Sequence, residues 1–391
     1  MRRSWLVALS LLVACTSTPP APAPAASTPV PVPTVSGTAP APEDASAPID
    51  AATPVDAAEP LTLTAYPRRG SQADDTSAPK GPGLVMMGGG PDVDAAFVWA
   101  HDLVVGSKAR GADVVVLRAT GADGYDAYLD GLAQFNSVQT LKIPAKATST
   151  DLAFAARVVG AAEIVFFAGG NQGDYVAWAA SPLMRAVQGV YDRGGVVGGT
   201  SAGTAILGAS VNDATLVISE SITSKTMMTD PYDPSVHFTQ NMLVFPPLAR
   251  TITDMHFAER DRMGRLVGFM ARQVADGVVP GPLPTVYGVA VDEDTALVID
   301  PARSGRLFRQ RGAGAVYVVR GGAPDRAVRG QPLVYRDLTV HKLDSDAARY
   351  DFARHCGTGR TFPLTAVGSA TSYEYTPSSP YAAQGNVDTC P

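Results

Sequence analysis

The chain has 391 residues, a formal net charge of −6 at pH 7 and a mean hydropathy of +0.06. Its slight excess of acidic residues argues against a nucleic acid as the main partner. After an N-terminal segment is set aside, the remaining length suffices for one large α/β domain or two small ones.

The first fifteen residues have the layout of a secretory signal. Two arginines precede a short apolar run, which Cys15 follows. The run is too short to span a bilayer. Residues 12–15 resemble a bacterial lipobox, in which Cys15 is lipidated, and an ordinary signal with a chance cysteine is the alternative. The sequence therefore predicts a signal peptide over 1–14 and an exported protein anchored to the membrane by lipid. By resemblance to Gram-negative lipoproteins, Thr16 after the cysteine implies the outer membrane or the cell surface if the cell is Gram-negative.

The segment that follows is predicted to be a tether. Residues 15–80 are dominated by Ala, Pro, Thr and Ser, and bulky residues are almost absent before Leu61. Such a segment buries too little apolar surface to offset the entropy of ordering it. We expect a disordered, extended tether, with folded structure beginning near Gly81.

From Gly83 onward, short apolar runs that end in glycine alternate with helical patterns. The predicted strands are Leu84–Met87, Val114–Leu117, Ile164–Phe167 and Val196–Gly199. The predicted helices run through Trp99 and Leu103, around Tyr128 to Phe135, and through Trp178 and Leu183 to about Tyr191. This alternation predicts an α/β fold with a mainly parallel sheet flanked by helices, and its ligand-binding loops should meet at the carboxyl ends of the strands.

The fourth predicted strand leads into a candidate nucleophile. Gly199-Thr-Ser201-Ala-Gly203 fits the strand–turn–helix pattern of a nucleophile elbow, in which flanking glycines permit a tight turn that exposes one serine hydroxyl. Ser201 is then the nucleophile. The alternative is a glycine-rich turn with an incidental serine.

Two charged stretches downstream supply candidate partners for this serine. Residues 254–265, Asp-Met-His-Phe-Ala-Glu-Arg-Asp-Arg-Met-Gly-Arg, contain a histidine in a dense charged cluster. If a helix runs through this stretch, Arg260 shares a face with His256. A solvated helix end with a structural histidine is the alternative. Residues 288–297 indicate a strand, an acidic turn and a second strand, for which the alternative is a plain hairpin with solvated carboxylates.

The cysteine pattern is typical of an exported protein. Besides Cys15, only Cys356 and Cys390 are present, and these two can pair in an oxidising compartment, with two unpaired thiols as the alternative. The disulfide would hold a C-terminal tail, residues 353–391. The sequence contains neither CxxC nor HExxH, so it proposes no metal site.

Five motifs together carry a resemblance to a known family. They are Gly88-Gly-Gly90, Gly169-Gly-Asn-Gln172, Gly198-Gly-Thr-Ser-Ala-Gly203, His256-Phe-x-x-Arg-x-Arg-x-Gly-Arg265 and Val291-Asp-Glu-Asp-Thr295. In this order and spacing they resemble the cyanophycinase family of serine peptidases, over residues 81–352. The resemblance implies a class I glutamine-amidotransferase-like fold. It also implies hydrolysis of cyanophycin, a polyaspartate that carries arginine on its side chains, to β-aspartyl-arginine dipeptides.

The resemblance also assigns roles to individual residues. Ser201 becomes the nucleophile, His256 the general base and Glu293 the residue that orients the imidazole. The amides of Gly170 and Ala202 would form the oxyanion hole. The substrate-binding residues by resemblance are Gln172, Asp254, Arg260, Arg262 and Arg265. For the substrate's arginine, the sequence leaves Asp254, Asp174 and Glu259 as alternative carboxylates.

Two departures from the family pattern bear on specificity. Met255 stands where glutamine is common, and Asn171 stands where aspartate is common. Cyanophycin and related β-aspartyl or aspartyl peptides therefore remain open as substrates. The alternatives are an aspartyl dipeptidase of the same fold and a catalytically inactive, tethered binding lipoprotein for charged polymers. The serine mechanism implies no cofactor, and a homodimer is expected from the resemblance alone.

Overall fold

The computed structural model describes residues 59–107, 110–216, 222–388 and 390. The described residues belong to one compact unit, Ala57–Pro391. The predicted signal peptide, Cys15 and most of the predicted tether lie outside the described residues. No helix within the described ranges has the length and apolar composition needed to cross a bilayer.

Strands and helices alternate in the first half of the unit, and strands dominate the second half. The strands are β1 Thr64–Ala65, β2 Arg69–Gly70, β3 Gly83–Met87, β4 Gly111–Arg118, β5 Phe135–Lys142, β6 Ile164–Phe167, β7 Val196–Thr200, β8 Ser210–Asn212, β9 Phe238–Gln240, β10 Thr251–Met255, β11 Val286–Val291, β12 Thr295–Ile299, β13 Ser304–Arg309, β14 Val316–Gly321, β15 Val334–Leu343, β16 Arg349–Asp351, β17 Cys356–Gly368, β18 Tyr373–Thr376 and β19 Asn386–Asp388. The helices are α1 Asp94–Val105, α2 Gly124–Leu132, α3 Ser149–Gly160, α4 Gln172–Val176, α5 Pro182–Asp192, α6 Ala202–Ala205, α7 Ser224–Thr229 and α8 Met263–Ala275, with one 3-10 turn at Pro246–Leu248.

A first sheet contains the strands that the sequence predicts. Its order is β5, β4, β6, β7, β3, β12, β13 and β16, and the five strands from β5 to β3 are parallel. Successive residues of β3 alternate between faces, so that Leu84 and Met86 join one apolar cluster while Val85 and Met87 join another. Helices α3 and α5 pack on the first face, and α1 and α2 pack on the second. The α/β prediction is confirmed.

A second sheet extends the fold beyond these strands. Its order is β9, β8, β10, β11, β14, β15 and β17, in which β8, β10 and β11 are parallel and the later pairs are antiparallel. Strand β17 also pairs with β16 and so joins the two sheets. Buried residues of α8 pack against this sheet in a third apolar cluster. The sheet is therefore mixed, with parallel strands at its centre.

Two predicted elements differ locally from the structure. The helix predicted to run through Trp178 and Leu183 to about Tyr191 is interrupted: Trp178 lies on a turn, and α5 begins at Pro182, because proline lacks the amide that a continuing helix needs. The side chain of Ser181 caps this new start by accepting a hydrogen bond from the amide of Met184. The helix predicted around Tyr128 to Phe135 ends at Leu132, since Phe135 already opens a buried strand.

The folded unit also starts earlier and ends later than the predicted boundaries of 81 and 352. The amides of Thr62 and Leu63 donate hydrogen bonds to the carboxylate of Asp151, at 2.7 and 2.9 Å. Strands β1 and β2 then pair with β5. At the other end, β17, β18 and β19 lie within the residues predicted as a tail, and they pair as part of the second sheet. A disulfide joins Cys356 to Cys390, whose Cα atoms are 5.1 Å apart.

Candidate active site

A tight turn presents Ser201 at the carboxyl end of β7. Ser201 has φ 52° and ψ −118°, in a region that non-glycine residues rarely occupy. Its amide donates a hydrogen bond to the carbonyl of Met87 at 3.1 Å. The turn requires glycine on both sides: a Cβ on Gly199 would lie 2.4 Å from the Gly203 carbonyl carbon, and a Cβ on Gly203 would lie 2.1 Å from the Phe167 oxygen. These contacts explain the spacing of the elbow motif.

His256 directly follows β10 and reaches the serine from the side. Its backbone has φ 47°, and its amide donates a hydrogen bond to the carbonyl of Gly88 at 2.8 Å. The imidazole lies against Gly89, where a Cβ would come within 2.1 Å of the ring. The ring Nε2 is 2.8 Å from the Oγ of Ser201. The glycine motif after β3 therefore makes room for the imidazole.

Glu293 follows β11 and completes the chain of contacts. Its Oε1 lies 2.5 Å from His256 Nδ1, and its side chain is 32% exposed. The backbone of this turn is fixed by a hydrogen bond from the amide of Asp294 to the carbonyl of Gly89, at 3.0 Å. Strands β11 and β12 do not form the plain hairpin: β11 pairs with β10 and β14, and β12 pairs with β13 and β3. The acidic turn passes between the two sheets.

The environment of His256 favours a neutral imidazole. Burial lowers its pKa from the ordinary 6.5, and the positive charges of Arg260 and Arg262 lower it further, against the raising effect of the Glu293 carboxylate. A neutral ring that donates its Nδ1 proton to Glu293 has Nε2 free to accept the proton of the Ser201 hydroxyl. The arrangement can thus perform nucleophilic acyl transfer with general-base assistance.

The predicted oxyanion-hole residues lie beside the nucleophile. Ala202 opens α6, and the amides of a first helical turn have no carbonyl partner within the helix. Gly170 belongs to the loop after β6, and a Cβ on the preceding Gly169 would lie 3.5 Å from the Cβ of Ser201. The loop is therefore adjacent to the serine, and the role of the two amides stays a prediction.

The glutamine motif starts helix α4 next to this loop. The Asn171 side chain accepts a hydrogen bond from the amide of Gly173 at 3.1 Å and caps the helix, as aspartate does at such positions. Gln172 is partly exposed, and its Nε2 donates to the carbonyl of Asn212 at 3.3 Å. The substitution of aspartate by Asn171 therefore leaves a helix cap in place.

Three of the predicted substrate-binding residues form a buried cluster instead of lining an open surface. The Asp254 side chain is 1% exposed and the Arg265 side chain 5%, and they make two parallel contacts, one of them from Nε to Oδ2 at 2.9 Å. Arg262 donates to the carbonyl of Met255 at 2.8 Å, and burial together with Arg265 lowers its pKa to about 9. Asp254 thus pairs with both arginines, at 3.8 Å from Arg262 Nη1 and more closely with Arg265, in a buried ion-pair network.

Arg260 has a different setting. Its side chain is 51% exposed and its Nη2 lies 3.9 Å from Glu293 Oε1. The helix that the sequence allowed through this stretch begins only at Met263, so Arg260 lies on a turn next to His256. Among the alternative carboxylates for a substrate cation, Glu259 is exposed and Asp174 is partly exposed, with a pKa raised by burial.

Sequence reasoning missed the role of Asp292. This buried carboxylate accepts hydrogen bonds from the amides of Ala258 at 2.9 Å and Ala315 at 2.8 Å, and burial raises its pKa to about 6. It thus attaches the turn after His256 to the second sheet. Asp292, Glu293 and Asp294 are consecutive acidic residues, so the sequence does not indicate which of them is buried and which contacts His256. Across the described ranges, no three His, Cys, Asp or Glu side chains are grouped in a way that could hold a metal ion.

Comparisons with known proteins give limited similarity. Neither the protein-family models nor the curated proteins match the chain. Among solved structures, a peptidase from an acI-B1 Actinobacterium is 13% identical with a TM-score of 0.39, covering 64% of this chain and 98% of its own. A protein from Listeria monocytogenes EGD-e, proposed to be a peptidase E, is 14% identical with a TM-score of 0.37, covering 59% of this chain and 100% of its own.

Proposed function

We propose that this protein is a serine hydrolase that cleaves peptides through an acyl-enzyme intermediate. The observation that carries the proposal is the continuous contact from Ser201 Oγ to His256 Nε2, at 2.8 Å, and from His256 Nδ1 to Glu293 Oε1, at 2.5 Å. Both distances lie within hydrogen-bonding range for a nucleophile, a base and an orienting carboxylate. The order serine, histidine, acid along the chain also differs from the serine, acid, histidine order of α/β-hydrolases.

In the proposed reaction, His256 takes the hydroxyl proton while Ser201 Oγ forms a bond to the scissile carbonyl carbon. The amides of Gly170 and Ala202 would stabilise the resulting oxyanion, a contribution of about 3 kcal/mol per donor in other enzymes. The imidazolium, stabilised by Glu293, then protonates the departing amine as the carbon–nitrogen bond breaks. Water attacks the ester in the same way, and the serine is regenerated.

For the substrate, the proposal is a β-aspartyl peptide, with cyanophycin as the case implied by the family resemblance. Arg260 supports it, because this half-exposed guanidinium next to Glu293 has no closer carboxylate partner among the described residues. An isopeptide bond through the aspartate β-carboxyl leaves a free carboxylate or carbonyl near the scissile bond, and a guanidinium can bind either. Anchoring by lipid through Cys15 and a homodimer belong to the same proposal.

The decisive test measures release of β-aspartyl-arginine from purified cyanophycin by the full chain and by Ser201→Ala, together with labelling by a fluorophosphonate probe. Dipeptide from the parent alone would support both the chemistry and the substrate. Labelling of Ser201 without release would retain the hydrolase and favour another aspartyl peptide. Absence of labelling in a folded parent would refute the hydrolase and favour a binding lipoprotein.

Arg260→Ala tests the substrate class separately. If Arg260 binds a substrate carboxylate, the variant should lose at least tenfold in kcat/KM on β-aspartyl peptides and little on a neutral ester, since one charged hydrogen bond contributes about 1.5–3 kcal/mol. Equal losses on both substrates would contradict this role.

A further inference from the structure

The turn that carries His256 is attached to the C-terminal part of the chain. We call residues 256–262 the histidine loop. Near its end, the carboxylate of Asp261 accepts hydrogen bonds from the hydroxyls of Tyr373, at 2.5 Å, and Tyr381, at 2.8 Å. Asp261 has φ 44°, in the left-handed region that is uncommon for non-glycine residues. Both tyrosines lie more than a hundred residues away in sequence.

Tyrosines of the C-terminal segment, residues 373–381, also bind helix α8, which follows the histidine loop. The amide of Met263 donates to the hydroxyl of Tyr381, and the amide of Gly264 donates to the hydroxyl of Tyr375, both at 2.8 Å. These amides begin α8, where helix geometry leaves them without a carbonyl partner. The Arg262 N-cap makes no capping hydrogen bond with its side chain. The tyrosine hydroxyls therefore cap α8 in place of a local residue.

Aromatic packing joins the two parts next to the catalytic histidine. Phe257, the residue after His256, is fully buried, and its ring packs edge-on against Tyr381 with the centroids 5.8 Å apart. The C-terminal segment is in turn held in place: β18 pairs with β17, and Lys342 Nζ donates to the carbonyl of Tyr381 at 2.7 Å. The histidine loop therefore rests on a fixed aromatic surface.

We propose that Tyr373, Tyr375 and Tyr381, the tyrosine cluster, are positioning residues that hold the histidine loop so that His256 Nε2 stays within reach of Ser201. The inference rests on the proposed hydrolase function. His256 itself has a left-handed backbone, which persists only where the surrounding structure determines it. Asp292 holds the loop at Ala258, and the tyrosine cluster holds its other end. The segment predicted as a disulfide-held C-terminal tail is thus part of the support of the active site.

The test compares the full chain with the double variant Tyr373→Phe/Tyr381→Phe, which keeps both rings and removes the two hydroxyls bound to Asp261. The matched control is Tyr232→Phe, because Tyr232 also donates to an aspartate, Asp276, at the opposite end of α8. The reaction is followed with an activated ester and with fluorophosphonate labelling of Ser201. We expect kcat and the labelling rate to fall at least tenfold in the double variant while KM changes less than twofold, since a displacement of about 1 Å costs on the order of 100-fold.

Hydrogen exchange gives a readout that does not depend on activity. The amide of Met263, which loses its acceptor on Tyr381, should exchange faster in the double variant and at the parental rate in the control. If the double variant does not fold, the single variant Tyr373→Phe takes its place, because the Tyr373 hydroxyl donates to Asp261 alone. It should still lower kcat while leaving KM nearly unchanged. A double variant that folds and keeps parental kcat would overturn the inference alone. A folded parent that is never labelled at Ser201 would refute the hydrolase, and the positioning role with it.

Discussion

Glu293→Gln separates the charge of the third residue of the proposed triad from its geometry. Glutamine has nearly the same shape, and its carbonyl oxygen can still accept a hydrogen bond from His256 Nδ1, so the imidazole keeps its orientation. The variant loses the attraction between the carboxylate and the imidazolium that forms during the reaction. Two unit charges about 4 Å apart at an effective dielectric near 20 attract by about 4 kcal/mol. Because the Glu293 side chain is 32% exposed, solvent screening lowers this attraction to about 3 kcal/mol. Its loss corresponds to a decrease in kcat of about 100-fold.

The assay is stopped-flow hydrolysis of an activated ester, which separates acylation of Ser201 from its deacylation. Asp294→Asn is the matched control: it removes a negative charge from the same turn, but that carboxylate pairs with the exposed Arg311 instead of with His256. We expect the control to stay within threefold of the parent. If Glu293→Gln also stays within threefold, the carboxylate does not stabilise the imidazolium and the proposed triad is refuted.

Three further predictions concern protonation and the disulfide. Because the pKa of His256 is lowered below 6.5, the acid limb of the kcat/KM profile should lie below pH 6.5, and a limb above it would contradict the neutral imidazole. Burial raises the pKa of Glu163 from 4.5 to about 7, so the folded protein keeps a proton that the unfolded chain has lost, and stability falls as the pH rises across this window. Glu163→Gln should remove that slope and raise the free energy of unfolding at pH 8 by up to about 3 kcal/mol in urea titrations. Reduction of the disulfide between Cys356 and Cys390, which are 34 residues apart, should lower the free energy of unfolding by up to about 4 kcal/mol. An unchanged free energy of unfolding would contradict a stabilising role.

The arginines of the charged motif around His256 differ in their exposure. Arg262 and Arg265 are buried and contact Asp254 and Met255, whereas Arg260 is half exposed beside Glu293. In the sequence, helical spacing places Arg260 with His256, but the pattern does not say which of the three arginines are buried. Their exposures separate them into one candidate for substrate binding and two residues of a buried ion-pair network.

The sequence by itself determined the local elements of the site. Four apolar runs predicted β3, β4, β6 and β7, because strands buried on both faces need continuous apolar residues. The glycines around Ser201 predicted the tight turn. The contact between Gly199 and Gly203 is local, whereas the close approach of Gly203 to Phe167 depends on the pairing of β6 with β7.

Only the tertiary structure decided what these elements meet. His256 is 55 residues from Ser201 and 37 from Glu293, and the three side chains come together because β7, β10 and β11 end at the same place. The C-terminal tyrosines lie on the histidine loop for the same kind of reason: β17 continues the second sheet and carries them there. Strand pairing and side-chain burial depend on contacts between residues far apart in the chain, and a local pattern of charge or hydrophobicity does not specify them.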